Sequence, residues 1–203
     1  MYLYIDALFN VRNTNNPSVV DKMADGLSTT DEEKVKNSPP FMTVPKAIMI
    51  ALSTGGVYVF EGDDTSKLLT DMHNFVDTLP LAGNECFVGW NLDRVIFPSI
   101  AANSMITGAK SIPRIMRKLD DKWSKTNGVS LERAFWQGWY RQSSSDEHQQ
   151  DLTLDIALDI TGMESVAEIR KKMDTNTSAT TGILMARLSA ISKLHTRYHN
   201  LIT

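Results

Sequence analysis

The sequence predicts an α/β protein in which a mixed sheet, formed by an antiparallel hairpin plus parallel strands, is flanked by helices. Three observations predict this class. Two apolar segments, 46–52 and 57–61, flank the tetrapeptide Ser-Thr-Gly-Gly, which is a strong hairpin signal. The segment 66–79 repeats its apolar residues at helical spacing. A short apolar segment at 86–89 leads through a polar turn into another helix.

Length and composition are those of an ordinary folded domain. With 203 residues, of which 42% are hydrophobic and 22% charged, we treat 1–203 as one domain with a polar insertion at about 11–45. The apolar runs are shorter than the roughly 20 residues of a membrane span, and the first six residues do not resemble a signal peptide. We therefore expect no membrane partner.

The cysteine count and the net charge indicate where the protein is located and which partners it binds. A single cysteine, Cys86, excludes an internal disulfide and fits a reducing, cytoplasmic location. The net charge of −3 argues against a large non-specific nucleic-acid surface. It is compatible with a narrow groove that reads the end of a strand.

Strands and helices can be assigned along the first half of the chain. Residues 2–9 alternate loosely and predict a first strand that contains Asp6. The helix at 66–79 buries a stripe of apolar residues and ends at Pro80. His73 lies off that stripe, so we predict that it is exposed to solvent.

The stretch 87–100 predicts a short buried strand that ends at Gly89. A polar turn at 91–94 follows, and an apolar helix opens near Pro98, since proline fits the first turn of a helix. That helix runs to about residue 106 and is closed by Gly108. A strand-to-helix junction of this kind is a common place for a functional site in an α/β sheet.

The second half of the chain is predicted to be mainly helical. Helices are expected at 112–123 and at 182–201. Residues 151–161 alternate and by themselves could form a strand. Aromatic and arginine side chains concentrate at 130–141. Such residues can clamp single-stranded bases, although they more commonly form core and rim.

Residues 89–98 resemble the second motif of the DEDD-type 3′–5′ exonuclease domains that proofread for family B DNA polymerases. The typical motif reads Gly-Trp-Asn-Ile-Glu-Gly-Phe-Asp-Val-Pro. Four positions match and two are conservatively replaced, namely Gly89, Trp90, Asn91 and Pro98, and then Leu92 and Asp93. The resemblance implies a ribonuclease-H-like fold. It also implies a helix at 151–161, then Gly162 and a second helix that begins at Ser165.

The same resemblance implies that most catalytic acids are lost. In that family four carboxylates hold two metal ions, which activate water and stabilise the leaving oxygen. By the resemblance, Asp6 is retained, whereas Leu8, Ile96 and Ser192 occupy the other three positions. Aliphatic side chains offer no ligand to a hard cation, so we expect no cofactor.

Three functions are open at this point. The first is a pseudoenzyme, an exonuclease-like module that binds a nucleic-acid strand or 3′ end, a replication protein or another copy of itself. Its compact form suggests a viral or mobile-element protein that takes part in DNA replication. The second is an active exonuclease that uses Asp6, Asp93 and acids at 61–64 with magnesium or manganese. The third is an unrelated α/β interaction protein.

Candidate ligand-binding residues follow from the motif and from the aromatic segment. For nucleic acid they are Trp90, Asn91, Trp136, Trp139 and Arg141. His195 and His199 are four residues apart on one helical face, a spacing that can bind a metal. Without a neighbouring carboxylate such a pair is usually a polar face, so we assign no metal ligands.

Overall fold

The computed structural model describes six ranges of the chain. They are residues 1–11, 40–79, 86–109, 128–132, 153–173 and 178–202. The predicted helix at 112–123 and most of the polar insertion lie outside these ranges.

A five-stranded mixed sheet forms the centre of the fold. Its strands are β1 (Tyr2–Val11), β2 (Thr43–Leu52), β3 (Val57–Glu61), β4 (Cys86–Gly89) and β5 (Gly128–Ser130), in the spatial order β3-β2-β1-β4-β5. The pairs β1–β2 and β2–β3 are antiparallel, whereas β1–β4 and β4–β5 are parallel. This arrangement confirms the predicted α/β class and is consistent with a ribonuclease-H-like sheet.

Strand β2 begins at Thr43, three residues before the predicted start, and it includes Pro45. The proline is accommodated because it pairs with Phe9, where the register between β1 and β2 shifts. Proline lacks an amide hydrogen and is tolerated in a sheet at such irregularities. The insertion is therefore shorter than predicted, since β1 extends to Val11 at its other end.

Helices flank the sheet at the places that the sequence indicates. They are α1 (Thr65–Thr78), α2 (Phe97–Thr107), α3 (Leu154–Ile160), α4 (Val166–Lys171) and α5 (Ala179–Ile202), with a 3₁₀ turn at Pro40–Met42 and a π-helical turn at Leu92–Ile96. Ser165 and Glu168 form a capping box at α4, so the predicted helix start is confirmed. None of the helices in the described ranges is long and apolar enough to cross a bilayer.

The sheet separates two hydrophobic clusters. The α1-face cluster packs β1 and β2 against α1 and α2, and it includes Leu3, Ile5, Ile48, Ile50, Leu68, Met72, Ile96 and Ile100. The α5-face cluster packs the opposite face against α3, α4 and α5, and it includes Tyr4, Met49, Val88, Trp90, Leu131, Leu158, Leu188 and Ile191. Because side chains alternate along a strand, Asp6 lies on the α5 face.

His73 is buried, which corrects the prediction that it is exposed. Only 1% of the residue is accessible, because α1 packs against α2 over a wider face than its apolar stripe alone. Its Nε2 lies 3.1 Å from the hydroxyl of Ser104 on α2. Its Nδ1 is buried and has no hydrogen-bond partner among the described residues. Burial lowers the pKa of His73 to about 4.

Gly89 has a packing role that does not depend on any chemistry. A Cβ atom at this position would lie 2.8 Å from the carbonyl oxygen of Ile5 and 3.1 Å from Leu92 Cδ1. We expect Gly89→Ala to lower the free energy of unfolding by about 1–3 kcal/mol, as overpacking does, in urea denaturation.

Gly128→Ala is the matched control for this prediction. Its added methyl group would meet the flexible end of Leu92 at 3.2 Å, so we expect a smaller loss of stability than for Gly89→Ala. Equal losses for the two variants would contradict the close approach at Gly89.

Candidate functional site at the contact between β1 and α5

Asp6, the acid that the exonuclease resemblance identifies as retained, forms a buried ion pair. Asp6 is 1% exposed, and Arg187 Nε of α5 donates to Asp6 Oδ2 at 2.6 Å. Arg187 Nη2 also donates to Asp6 Oδ1 at 3.4 Å, so the guanidinium contacts both carboxylate oxygens. The arginine side chain is 16% exposed, and the pair therefore lies just below the surface.

The local fold explains why the two groups meet. Alternation along β1 places Asp6 between Tyr4 and Leu8 on the α5 face. Arg187 lies in a helical segment whose neighbours, Ala186 and Leu188, are buried in the α5-face cluster. A carboxylate that is buried there without a counter-charge would cost several kcal/mol, and a planar guanidinium matches both of its oxygens.

This pairing changes what the site can do with metal ions. Both oxygens of Asp6 that could ligate a cation already accept hydrogen bonds from Arg187. A cation about 4 Å from the guanidinium would be repelled by roughly 4 kcal/mol per unit charge at an effective dielectric constant of 20. As a whole the ion pair has no net charge, so it offers a divalent ion little of the attraction that an unpaired carboxylate would.

The three positions assigned to lost ligands lie in different places. Leu8 is half-buried beside the α5-face cluster, on the same face as Asp6. Ile96 belongs to the α1-face cluster. Ser192 is half-buried on α5, and the α5 residue that contacts Asp6 is Arg187 instead. That Leu8, Ile96 and Ser192 replace catalytic acids stays a prediction from the resemblance.

Trp90 does not present a surface for base stacking. It is 1% exposed and packs in the α5-face cluster, which also includes Val88 and Leu131. The indole is part of the core in this conformation, and its contact with nucleic acid stays a prediction. Its place in the motif has a structural explanation.

Asn91 is held in an unusual turn at the end of β4. It is the one non-glycine residue with positive φ in the described ranges, at φ 55° and ψ 33°, a conformation that asparagine tolerates. Its carbonyl oxygen accepts from the amides of Val95 at 3.0 Å and Ile96 at 3.2 Å, which closes the π-helical turn. Such turns are frequent at functional sites.

Glu132 holds the side chain of Asn91 in place. With the amide oriented so that its nitrogen faces the carboxylate, Asn91 Nδ2 donates to both carboxylate oxygens of Glu132. Glu132 is 2% exposed and follows β5 directly. Ser130 Oγ of β5 accepts from the amide of Leu92 at 3.2 Å. The end of β5 thus fixes the turn after β4.

The sequence carried a signal for Arg187 but none for Glu132. Arg187 is the single charged residue between Asp174 and Lys193, within a segment rich in small and apolar residues. An isolated charge of this kind in an amphipathic helix indicates a buried partner. Glu132 follows a strand of only three residues, which is too short for its periodicity to be recognised.

The acids of the alternative nuclease do not assemble around Asp6. Glu61, Asp63 and Asp64 are exposed at the β3 edge, two strands from β1 and thus about 10 Å away. Asp64 Oδ1 accepts from the amide of Lys67 at 3.0 Å and caps α1. In the part of the chain that the structure describes, no three His, Cys, Asp or Glu side chains form a potential metal site.

The remaining candidates cannot be placed. The side chain of Asp93 lies outside the described part of the structure, although its backbone belongs to the π-helical turn. Trp136, Trp139 and Arg141 fall outside the described residues altogether. Their contact with nucleic acid stays a prediction.

A comparison with solved structures finds a distant structural likeness. No family model and no curated protein matches the chain. A family B DNA polymerase from the hyperthermophilic archaeon Pyrobaculum calidifontis aligns over 99% of this chain and 24% of its own, with 14% sequence identity and a TM-score of 0.48. The chain thus spans about a quarter of that polymerase. At this TM-score the likeness carries no functional information.

Proposed function

We propose that this protein is an exonuclease-like domain that binds its ligand without metal-dependent cleavage. The ligand we propose is a nucleic-acid strand, recognised as a single strand or at its 3′ end, in DNA replication or another step of nucleic-acid metabolism. The resemblance at 89–98 supports the ligand class. The geometry around Asp6 supports the absence of cleavage.

One observation carries the proposal, the contact of Arg187 with both oxygens of Asp6. Two-metal hydrolysis needs several carboxylates whose oxygens are available to cations. Here the retained carboxylate is neutralised by a side chain of the same protein. A neutralised carboxylate does not repel a phosphate group nearby, and it offers little attraction to a magnesium ion.

A digestion assay tests this function directly. We expect that a 5′-labelled single-stranded oligonucleotide stays at full length when it is incubated with the protein and magnesium or manganese. We also expect the same oligonucleotide to bind in the presence of EDTA, since Arg187 already neutralises Asp6 and no metal ion is needed to offset the charge of this carboxylate. Gel analysis and fluorescence anisotropy measure the two outcomes.

Asp6→Asn is the matched variant for the cleavage assay. Shortening of the oligonucleotide by the unaltered protein, abolished in Asp6→Asn, would show an active nuclease and refute the proposal. Manganese binding, followed by electron paramagnetic resonance, should be equally weak for both chains. A failure to bind the oligonucleotide at low salt would contradict nucleic acid as the ligand, and protein partners or a second copy would then take its place.

A further inference from the structure

Two tyrosines of β1 and two histidines of α5 form a compact group, here called the Tyr–His cluster (Tyr2, Tyr4, His195 and His199). Tyr4 Oη lies 3.3 Å from His195 Nδ1, and Tyr2 Oη lies 3.3 Å from His199 Nε2. The Tyr2 and His195 rings meet edge to face at 4.6 Å between centroids. The two imidazoles stack at 6.0 Å. The cluster therefore joins β1 to the C-terminal half of α5.

His195 is the buried member of this cluster, with 4% of its surface accessible. The spacing of the two histidines indicated a polar face of the helix, but His195 is buried in the contact between α5 and β1. Burial, and then the neighbouring His199, lower the pKa of His195. The neutral imidazole is thus the form that the folded protein accommodates.

The surroundings of His195 offer little compensation for a positive charge. The elements packed against α5 in the described ranges present the phenols of Tyr2 and Tyr4 and the carboxylate of Asp6 on β1, the apolar Ala47 and Met49 on β2, Val88 and Trp90 on β4, and the guanidinium of Arg170 on α4, which contacts the first turns of α5 at Ala179 and Gly182. Asp6 is paired with Arg187, which lies two helical turns before His195 on α5. On the outer side of α5, Glu164 lies 3.7 Å from Lys193.

We propose that the contact between β1 and α5 is sensitive to protons, and that protonation of the Tyr–His cluster below about pH 6 loosens the C-terminal half of α5 from the sheet. A protonated imidazole has two N–H donors and no acceptor, so His195 Nδ1 can then only donate to Tyr4 Oη and can no longer accept from the phenol. The added charge also repels any charge on His199, one turn away. Both effects favour the conformation in which α5 exposes His195 to water.

Loosening of α5 also affects the candidate site, because Arg187 belongs to the same helix as His195. Arg187 lies two turns before His195 on α5, and it holds Asp6 on β1. Loosening of α5 therefore weakens the hold of the guanidinium on the carboxylate. In mild acid the surface around Asp6 opens, whatever ligand the site binds.

The unaltered protein allows the first test. In an NMR titration of the histidine ring protons, we expect His195 to titrate at a lower pH than a model histidine, because its burial disfavours the charged form. In hydrogen exchange, corrected for the intrinsic pH effect, protection of the α5 amides should fall roughly tenfold or more between pH 7.5 and 5.0. The β2 amides should lose less. An ordinary pKa of His195, or unchanged protection of α5, would overturn the proposal.

Variants separate the cluster from other acid effects. Asparagine at 195 and glutamine at 199 keep a polar atom near the bonded ring nitrogen and do not titrate, so His195→Asn/His199→Gln should keep its α5 protection at pH 5.0. His73→Leu removes another buried histidine and should leave the α5 response intact. Equal loss of protection in the double variant and the unaltered protein would refute the assignment. If the double variant does not fold, the titration of His195 decides.

Discussion

Replacing Arg187 by methionine is expected to lower the free energy of unfolding by about 3–5 kcal/mol, because it leaves the carboxylate of Asp6 buried without its counter-charge. Asp6 is 1% exposed, so water cannot replace the lost guanidinium unless the contact between β1 and α5 opens. Urea denaturation at pH 7 measures the loss. Arg187→Lys should lose less, since it keeps the charge but not the planar fork.

A double-mutant cycle distinguishes loss of the pair from loss of packing. We expect Asp6→Leu/Arg187→Met to recover most of the stability that Arg187→Met loses, since apolar groups of similar volume can replace a buried ion pair. Lys193→Met, on the same helix but half-exposed, should change stability by no more than about 0.5 kcal/mol. A loss below about 1 kcal/mol in Arg187→Met would show that the pair is not buried in solution.

Acid is expected to destabilise the protein through His73 by about 2.5 kcal/mol at pH 4.5. The pKa of His73 is lowered by burial from 6.5 to about 4, so the unfolded chain binds a proton more tightly than the folded one. The stability from this residue is complete above pH 6.5 and is lost as the pH falls toward 4. Each unit of difference in pKa corresponds to about 1.4 kcal/mol.

His73→Leu isolates this contribution, because leucine does not titrate and removes the buried Nδ1 that has no partner among the described residues. Urea denaturation of both chains at pH 7.5 and 4.5 gives the difference, in which the titration of the carboxylates cancels. The variant should lose about 2.5 kcal/mol less than the unaltered protein over this interval. An equal loss in both chains would mean that His73 is exposed in solution.

The sequence was informative about elements with strong local signals. The hairpin around Gly55 and Gly56 and helix α1 each follow from residues close together in the chain, and the structure confirms them. The helix start at Ser165, which the resemblance implied, is also confirmed. Strand β5 was missed, because its three residues are a strand only through pairing with β4. Pro45 concealed the start of β2, because its place at a register shift depends on the partner strand.

The candidate site was harder to predict because its contacts join distant parts of the chain. The exonuclease resemblance indicated Asp6 and Asn91, but it did not indicate the side chains that contact them. Arg187 reaches Asp6 across the packing of α5 on β1, and Glu132 reaches Asn91 across the pairing of β4 with β5. These partners follow from tertiary packing, which a periodic pattern in one element does not specify.

The ion pair between Asp6 and Arg187 joins residues 181 positions apart, and this separation constrains when the domain can become complete. During synthesis, β1 leaves the ribosome long before α5, so the side chain of Asp6 stays hydrated until α5 has emerged. Contacts of such long range also slow folding, because the loop between them must be closed first. Closure of the α5 face is therefore expected as a late step in folding, and Asp6 loses its water only when Arg187 arrives.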